Sequence, residues 1–95
     1  MTPLWKVNSG RFAGWRSGSD LYDANGDHVG YFQGQRAYSN ATGACLGEIH
    51  RDDWIGLRPG TIATGSGSRV GKVGIALAAY VDRVGLAIGW DDPAF

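Results

Sequence analysis

The chain has 95 residues, of which 16 are glycine, and nine basic residues balance nine acidic ones to give a formal net charge of zero. This length favours one domain with one core, spanning residues 1–95. The balanced charge, with no basic stripe, argues against a protein that binds nucleic acid by neutralising phosphates. Because glycine costs backbone entropy in helices and strands, its abundance favours many turns over long helices.

The N-terminus and the single cysteine limit the cellular setting. Residues 1–6 lack the charged segment and apolar core of a secretory signal, so we expect a cytoplasmic protein. The longest apolar run, residues 75–81, is far too short to span a bilayer, and we expect no membrane partner. Cys45 has no second cysteine to pair with, and we predict that it is a small buried apolar side chain.

Three successive windows, residues 4–15, 21–31 and 37–48, share one pattern. Each has an aromatic residue, a polar turn that ends in glycine, an apolar residue three places on, and a second glycine. The turn glycines are Gly10, Gly26 and Gly43, and their spacing is that of a β-hairpin. We therefore predict hairpins at about 4–16, 21–33 and 37–50. The pair Asn25-Gly26 predicts a type I′ turn, in which both residues have positive φ.

The second half of the chain is less regular. Residues 58–68 hold Pro59 and several glycines, which predicts a loop or an insertion. Residues 72–81 could form a short helix by their alanines, but their β-branched residues and Gly74 favour a strand. Residues 80–90 repeat the hairpin pattern, with Gly85 as the turn glycine.

Alternation of side chains assigns the faces of the predicted strands. In a strand, residues two apart point to the same side. Two sets of residues should therefore share the face that makes the core. One set lies three places after each turn glycine, and the other lies two places further on. The first set is Ala13, Val29, Leu46 and Ile88, and the second is Trp15, Tyr31, Glu48 and Trp90. Of these we single out Val29, Leu46 and Ile88 as buried, with Asp27 exposed.

The windows 22–31 and 38–48, with their order of aromatic, polar turn, glycine and apolar-glycine, resemble the bacterial small proteins described as four-fold β-flower domains. The resemblance covers residues 4–58 well and residues 59–95 loosely. It implies an all-β fold of short glycine-cornered hairpins, the petals, around a pseudo-symmetric axis, and it implies no chemistry. We predict clear repeats over 4–58 and an irregular part over 59–95.

Motifs for cofactors and metals fail in detail. Residues 65–72 are rich in glycine and end in Lys72, but a phosphate-binding loop needs glycine where Ser66 stands and Ser or Thr where Val73 stands. The two histidines, His28 and His50, match no spacing of a zinc or calcium site, and we interpret both as surface polar residues. We predict no cofactor and no metal.

Two functions from different classes remain open. The first is a non-enzymatic binding or protein-interaction module that takes a protein or a small ligand. Its candidate contacts are Trp54, predicted to be exposed because it follows three charged residues outside the repeat, with His50 and Asp53 beside it. Most other aromatic residues are predicted to fill the core. The alternative is a small enzyme in which His50 is the base, Asp53 orients it, and Ser66 or Ser68 is the nucleophile.

The C-terminal half also predicts an oligomer. Residues 56–89 carry few charges, so they give little protection against pairing with another chain. We predict a homo-oligomer through residues 73–81. The alternative is a monomer in which this segment packs onto its own petals.

Overall fold

A computed structural model describes residues 1–61, 67–75 and 77–95 and contains a closed barrel of seven strands in chain order. The strands are β1 Thr2–Lys6, β2 Phe12–Ser17, β3 Asp20–Asp23, β4 His28–Gln33, β5 Arg36–Ser39, β6 Cys45–His50 and β7 Trp54–Gly56. Consecutive strands are antiparallel, and β7 closes the barrel by pairing parallel to β1. The predicted all-β fold of glycine-cornered hairpins around one axis is confirmed.

The turns of the three hairpins lie at the same end of the barrel, because the strands run up and down. Gly10, Gly26 and Gly43 have φ angles of 76°, 86° and 74°. Asn25 is not among the residues with positive φ, so the predicted type I′ turn is wrong. Instead the Gly26 amide donates to the Asp23 carbonyl at 3.0 Å, and Asp23 Oδ1 accepts from the Asn25 and Asp27 amides. Asp27 is exposed, as predicted.

Two apolar clusters lie on the two sides of the barrel wall. The interior cluster consists of Leu4, Ala13, Leu21, Phe32, Ala37, Leu46, Ile49 and Ile55. The outer cluster consists of Trp5, Val7, Phe12, Trp15, Tyr22 and Trp54. Neighbours along a strand alternate between them: Leu21 points inward and Tyr22 points outward. Most tryptophans therefore belong to the core, as predicted, but to its outer layer.

The predicted core face is correct only in part. Leu46 is buried, as predicted, but Val29 is only half-buried, although it packs against the interior cluster. Tyr31 and Glu48 are also half-buried and belong to neither cluster. Glu48 instead pairs with Arg58 at 2.8 Å. The strand register shifts at Leu4/Trp5, Leu21/Tyr22 and Ala37/Tyr38. Strict alternation fails because such bulges re-aim the side chains that follow them.

Beyond β7 the chain forms a tail, residues 57–95, which crosses the hairpin turns in reverse order. The Arg69 amide donates to the Asn40 carbonyl, the Ile75 amide to Gly26 and the Arg83 amide to Gly10. The described part of the tail contains no strand, so the strand predicted for 72–81 and the hairpin predicted for 80–90 are wrong, and Ile88 is 37% exposed. One or two hydrogen bonds at each separate turn stand in place of a continuous ladder.

The end of the tail returns to the barrel. Leu57 and Asp91 form an isolated antiparallel bridge, which is all that the described residues show of a fourth petal. The Ala94 amide donates to the Leu46 carbonyl at 2.8 Å, and Phe95 packs against the interior cluster. Within the described residues, no helix is long and apolar enough to cross a membrane.

Asp92 ties this returning segment to the first hairpin turn, where its Oδ1 accepts from the Asn8 amide at 2.8 Å and the Ser9 amide at 3.0 Å. Burial alone would raise the pKa of Asp92, but these hydrogen bonds, with help from Lys6, hold that pKa below its ordinary value. A carboxyl group whose pKa is lower in the folded state than in the unfolded state stabilises the fold when the pH is above the unfolded-state pKa. This stabilisation is lost as the pH falls through the folded-state pKa.

Asp92→Asn keeps an acceptor oxygen but cannot titrate. When the pH is lowered from neutral to below about pH 4, we therefore expect the free energy of unfolding to fall less in this variant than in the natural chain. The measurement is the free energy of unfolding by urea between neutral and acidic pH. Asp27→Asn, at an exposed turn position, serves as the control. Parallel pH curves for the natural chain and Asp92→Asn would contradict this assignment.

Candidate functional site

The tail covers the outer aromatic residues unevenly. Over the first hairpin, the Tyr80 ring stacks on the Phe12 ring with their centroids 5.5 Å apart. The same ring packs edge-to-face with Trp5, with centroids 5.7 Å apart. Ile75 packs against the same outer cluster. The cross-strand pair Trp15 and Tyr22 is accordingly 2% and 7% exposed. The first part of the outer layer is thus sealed.

The next cross-strand pair is left open. Tyr31 and Tyr38 lie opposite each other on β4 and β5, with ring centroids 5.8 Å apart, and both are half-buried. They line a cavity of about 400 Å³, which we call the tyrosine cleft. Its other lining residues are Gln33, Gly43, Gly67, Ser68 and Arg69. Within residues 1–61, 67–75 and 77–95, these two aromatic rings border open space, whereas the equivalent pair, Trp15 and Tyr22, is covered.

Arg69 brings a positive charge to the cleft. Its guanidinium carbon lies 3.6 Å from the centre of the Tyr31 ring, in a cation–π contact. In the described part of the chain, no Asp or Glu forms an ion pair with Arg69, and none lines the cleft. The Arg69 backbone amide donates a hydrogen bond to the Asn40 carbonyl, which fixes the backbone of Arg69. The cleft combines aromatic faces with a cation that has no acidic partner there.

Beside the cleft, His28 is buried rather than on the surface as predicted, with its side chain 4% exposed. Its Nδ1 accepts the Lys72 amide at 2.7 Å, so the ring proton lies on Nε2. Nε2 lies 3.3 Å from Asp20 Oδ1 but is not aligned for a hydrogen bond. Lys72 Nζ contacts the other oxygen of Asp20 at 2.7 Å, and this bond raises the pKa of Lys72. The cluster anchors the tail.

The residues predicted as ligand contacts lie elsewhere. Trp54 is only 8% exposed, so the expectation that it is an exposed contact is wrong. It belongs to the outer cluster because β7 closes the barrel beside β1 and the tail covers it, with the Arg83 guanidinium 5.5 Å from its ring. Arg83 also binds the Asp53 carboxylate at 2.8 Å. The three-residue set is thus part of the packing between barrel and tail.

His50 retains one unusual feature. Its Nε2 is buried with no hydrogen-bond partner among the described residues, and its ring meets the edge of Trp90 at 5.3 Å. The turn after it holds Arg51 and Asp52 at φ angles of 52° and 71°, which are strained for residues other than glycine. Such strain occurs often at functional sites, but here the Asp53 carboxylate already forms an ion pair with Arg83.

The other candidate residues of the sequence, the two serines and the cysteine, do not lie together at one site. Ser66 lies outside the described residues, whereas Ser68 lines the tyrosine cleft. Cys45 is buried, as predicted. Within the described ranges, no group of three or more His, Cys, Asp or Glu side chains could hold a metal ion.

The sequence pattern predicts a core position for the two tyrosines of the cleft and a loop position for Arg69. Tyr31 and Tyr38 occupy repeated aromatic positions, and Arg69 lies in the glycine-rich segment. Nothing in the repeat distinguishes the open pair from the covered pair, because the tail decides which is covered. Comparison of the chain with protein-family models, curated proteins and solved structures gave no match.

Proposed function

We propose that this protein is a non-enzymatic binding module whose tyrosine cleft takes a small organic anion with a flat ring. The observation that supports this most is the contrast between two equivalent aromatic pairs. Trp15 and Tyr22 are sealed under the tail, whereas Tyr31 and Tyr38 border a cavity of about 400 Å³. Cavities of this size with aromatic walls and a few polar groups are typical of small-molecule sites.

The lining residues suggest a role for each part of the ligand. The Arg69 guanidinium can donate two parallel hydrogen bonds to a carboxylate or a phosphate. The Tyr38 ring offers a face for stacking, and the Gln33 amide and the Ser68 hydroxyl offer polar contacts around it. An anion is favoured over a cation because, among the described residues that line the cleft, Arg69 is charged and none is acidic.

We expect benzoate and a nucleoside monophosphate to bind more tightly than their neutral counterparts, benzamide and the free nucleoside. Arg69→Gln should weaken binding of the anions by about tenfold or more, since a hydrogen bond to a charged group contributes about 1.5–3 kcal/mol. The measurement is a titration followed by amide chemical shifts of the cleft residues. The matched control is Arg11→Gln, which removes an exposed charge of the first hairpin turn.

Equal binding of the charged and neutral probes, or no shift at Tyr31 and Tyr38 with any of them, would contradict the proposal. The same titration addresses the competing enzyme hypothesis, which is favoured by the orphaned Nε2 of His50 and the strained turn beside it. An acid/base enzyme at His50 and Asp53 would convert a probe, and product signals would disappear with His50→Ala. A binding module returns every probe unchanged.

A further inference from the structure

Residues 67–74 of the tail, of which the first three line the tyrosine cleft, are held to the barrel by polar contacts. Every residue of this segment is exposed, so its apolar side chains add little packing against the barrel. The Gly67, Arg69 and Lys72 amides donate to barrel residues, and the Lys72 ammonium binds Asp20. A segment with few buried apolar contacts opens at a low cost in free energy. The loss of one or two hydrogen bonds can therefore release it.

One buried side chain, that of His28, supports two of these amide bonds. Its Nδ1 accepts the Lys72 amide at 2.7 Å and lies 3.2 Å from Asn40 Nδ2. Asn40 is also buried, and its backbone carbonyl accepts the Arg69 amide. A backbone N–H can only donate, so the bond to Lys72 requires a neutral imidazole with a bare Nδ1. His28 therefore holds Lys72 directly and Arg69 through Asn40.

The titratable groups that face the His28 ring come from β3 and from the tail. Asp20 Oδ1 lies 3.3 Å from Nε2, and Lys72 Nζ lies 2.7 Å from Asp20 Oδ2. The Tyr22 ring is tilted against the imidazole, with centroids 5.2 Å apart. Nε2 carries a proton in both charge states of His28, so it can face the Asp20 carboxylate in both. The hydrogen bonding of the two states therefore differs at Nδ1, which the described contacts surround with N–H groups.

We propose that His28 is a pH switch for the tyrosine cleft, in which a proton on Nδ1 releases residues 69–72 from the barrel and frees the Arg69 guanidinium from the Tyr31 ring. The proton turns Nδ1 from an acceptor into a donor, which then points at two other N–H groups. Histidine side chains ordinarily gain this proton between about pH 8 and pH 5. The release needs no ligand, whereas its effect on binding rests on the proposed function of the cleft.

Nuclear magnetic resonance of the natural chain without ligand tests the release. At about pH 8 the ring nitrogens of His28 should show the proton on Nε2, and the Lys72 amide should be protected from hydrogen exchange. As the pH falls to about 5, the amide shifts of Arg69 and Lys72 should follow the protonation of His28, and the protection factor of Lys72 should fall by about tenfold or more. A ring that stays neutral, or one that gains its proton with no change at the two amides, would overturn the switch.

His28→Asn separates the switch from other effects of acid. Its side-chain oxygen is as far from the backbone as Nδ1, so it can accept the Lys72 amide but cannot gain a proton. We expect the amide shifts of Arg69 and Lys72 in this variant to stay constant over the same pH range. The matched control, His50→Asn, removes the other histidine of the chain and should respond as the natural chain does. An equal response in His28→Asn would overturn the role of His28.

Binding of benzoate then tests the effect on the cleft. Benzoate keeps its charge above about pH 5, because carboxyl groups ordinarily titrate near pH 4, so a change in its affinity comes from the protein. The natural chain should bind it about tenfold more weakly at the acidic end of the range, whereas His28→Asn should bind it equally at both ends.

The outcomes for the switch and for the proposed function are distinguishable. Equal affinity of the natural chain for benzoate at both ends of the range, with the amide shifts changed, would overturn the control of the cleft by His28 and leave the proposed function standing. If benzoate binds at neither end, the proposed function fails, and the amide shifts alone decide whether His28 releases the tail.

Discussion

Trp5→Ala is expected to lower the free energy of unfolding by about 3–5 kcal/mol, the range for truncating a buried aromatic side chain. Trp5 is 4% exposed and lies where β1, the tail and β7 meet. Its Nε1 donates to the Val81 carbonyl at 2.9 Å, and the Arg83 guanidinium lies 3.5 Å from its ring. Removal of the ring therefore leaves a cavity and also detaches the tail from the outer layer.

The loss can be measured by urea unfolding with Trp90→Ala as the matched control. Trp90 is half-buried and contacts His50 and Arg58, so we expect a smaller loss there. Because the total stability of a small domain is about 5–15 kcal/mol, Trp5→Ala could unfold the chain outright. Trp5→Phe, which keeps a ring but removes the indole N–H, should fold with reduced stability. Equal losses for the two alanine variants would show that Trp5 is not the centre of this junction.

The second large effect is expected for Gly26→Val, which should cost about 2–4 kcal/mol. Gly26 has φ of 86°, and a Cβ at this position would overlap the Ile75 carbonyl oxygen of the tail. The Ile75 amide donates to the Gly26 carbonyl at 2.7 Å. The substitution therefore strains the backbone of the turn and also disrupts the contact between the turn and the tail.

Gly34→Val separates the two causes. Gly34 also has positive φ, 62°, but a Cβ there would meet no atom within 4 Å. We expect this variant to show the backbone strain alone, about 1–2 kcal/mol. Limited proteolysis should cut the tail faster in Gly26→Val than in Gly34→Val. If the two variants unfold at the same denaturant concentration, the contact between the turn and the tail contributes nothing to stability.

The hairpins were predictable because their signals are local. A polar turn with a glycine at positive φ between two short apolar runs specifies a hairpin within about a dozen residues, and Gly10, Gly26 and Gly43 all have this conformation. The assignment of faces was less secure, since one bulge exchanges the two sides of a strand. Glu48 was expected in the core and instead pairs with Arg58 and Arg36 on the outside.

The candidate site could not have been predicted in the same way. Tyr31 and Tyr38 occupy the same repeated positions as residues that are covered, and the described part of the tail leaves these two tyrosines open. Trp54 appeared exposed because charged residues precede it, yet Arg83 from the tail turns back to cover it.

The bounds and turn glycines of the first three hairpins follow from the amino-acid pattern, because each hairpin is stabilised by residues close together in the chain. The same pattern also predicted a hairpin at 80–90, which the described residues do not form. The closure of the barrel by β7 and the path of residues 57–95 depend on contacts between distant residues, such as Trp5 Nε1 with the Val81 carbonyl, 76 positions apart. The tail mostly binds backbone carbonyl groups of the turns. Every residue carries a carbonyl group, so no side-chain pattern marks which ones the tail will bind, and the folded barrel selects them by their position.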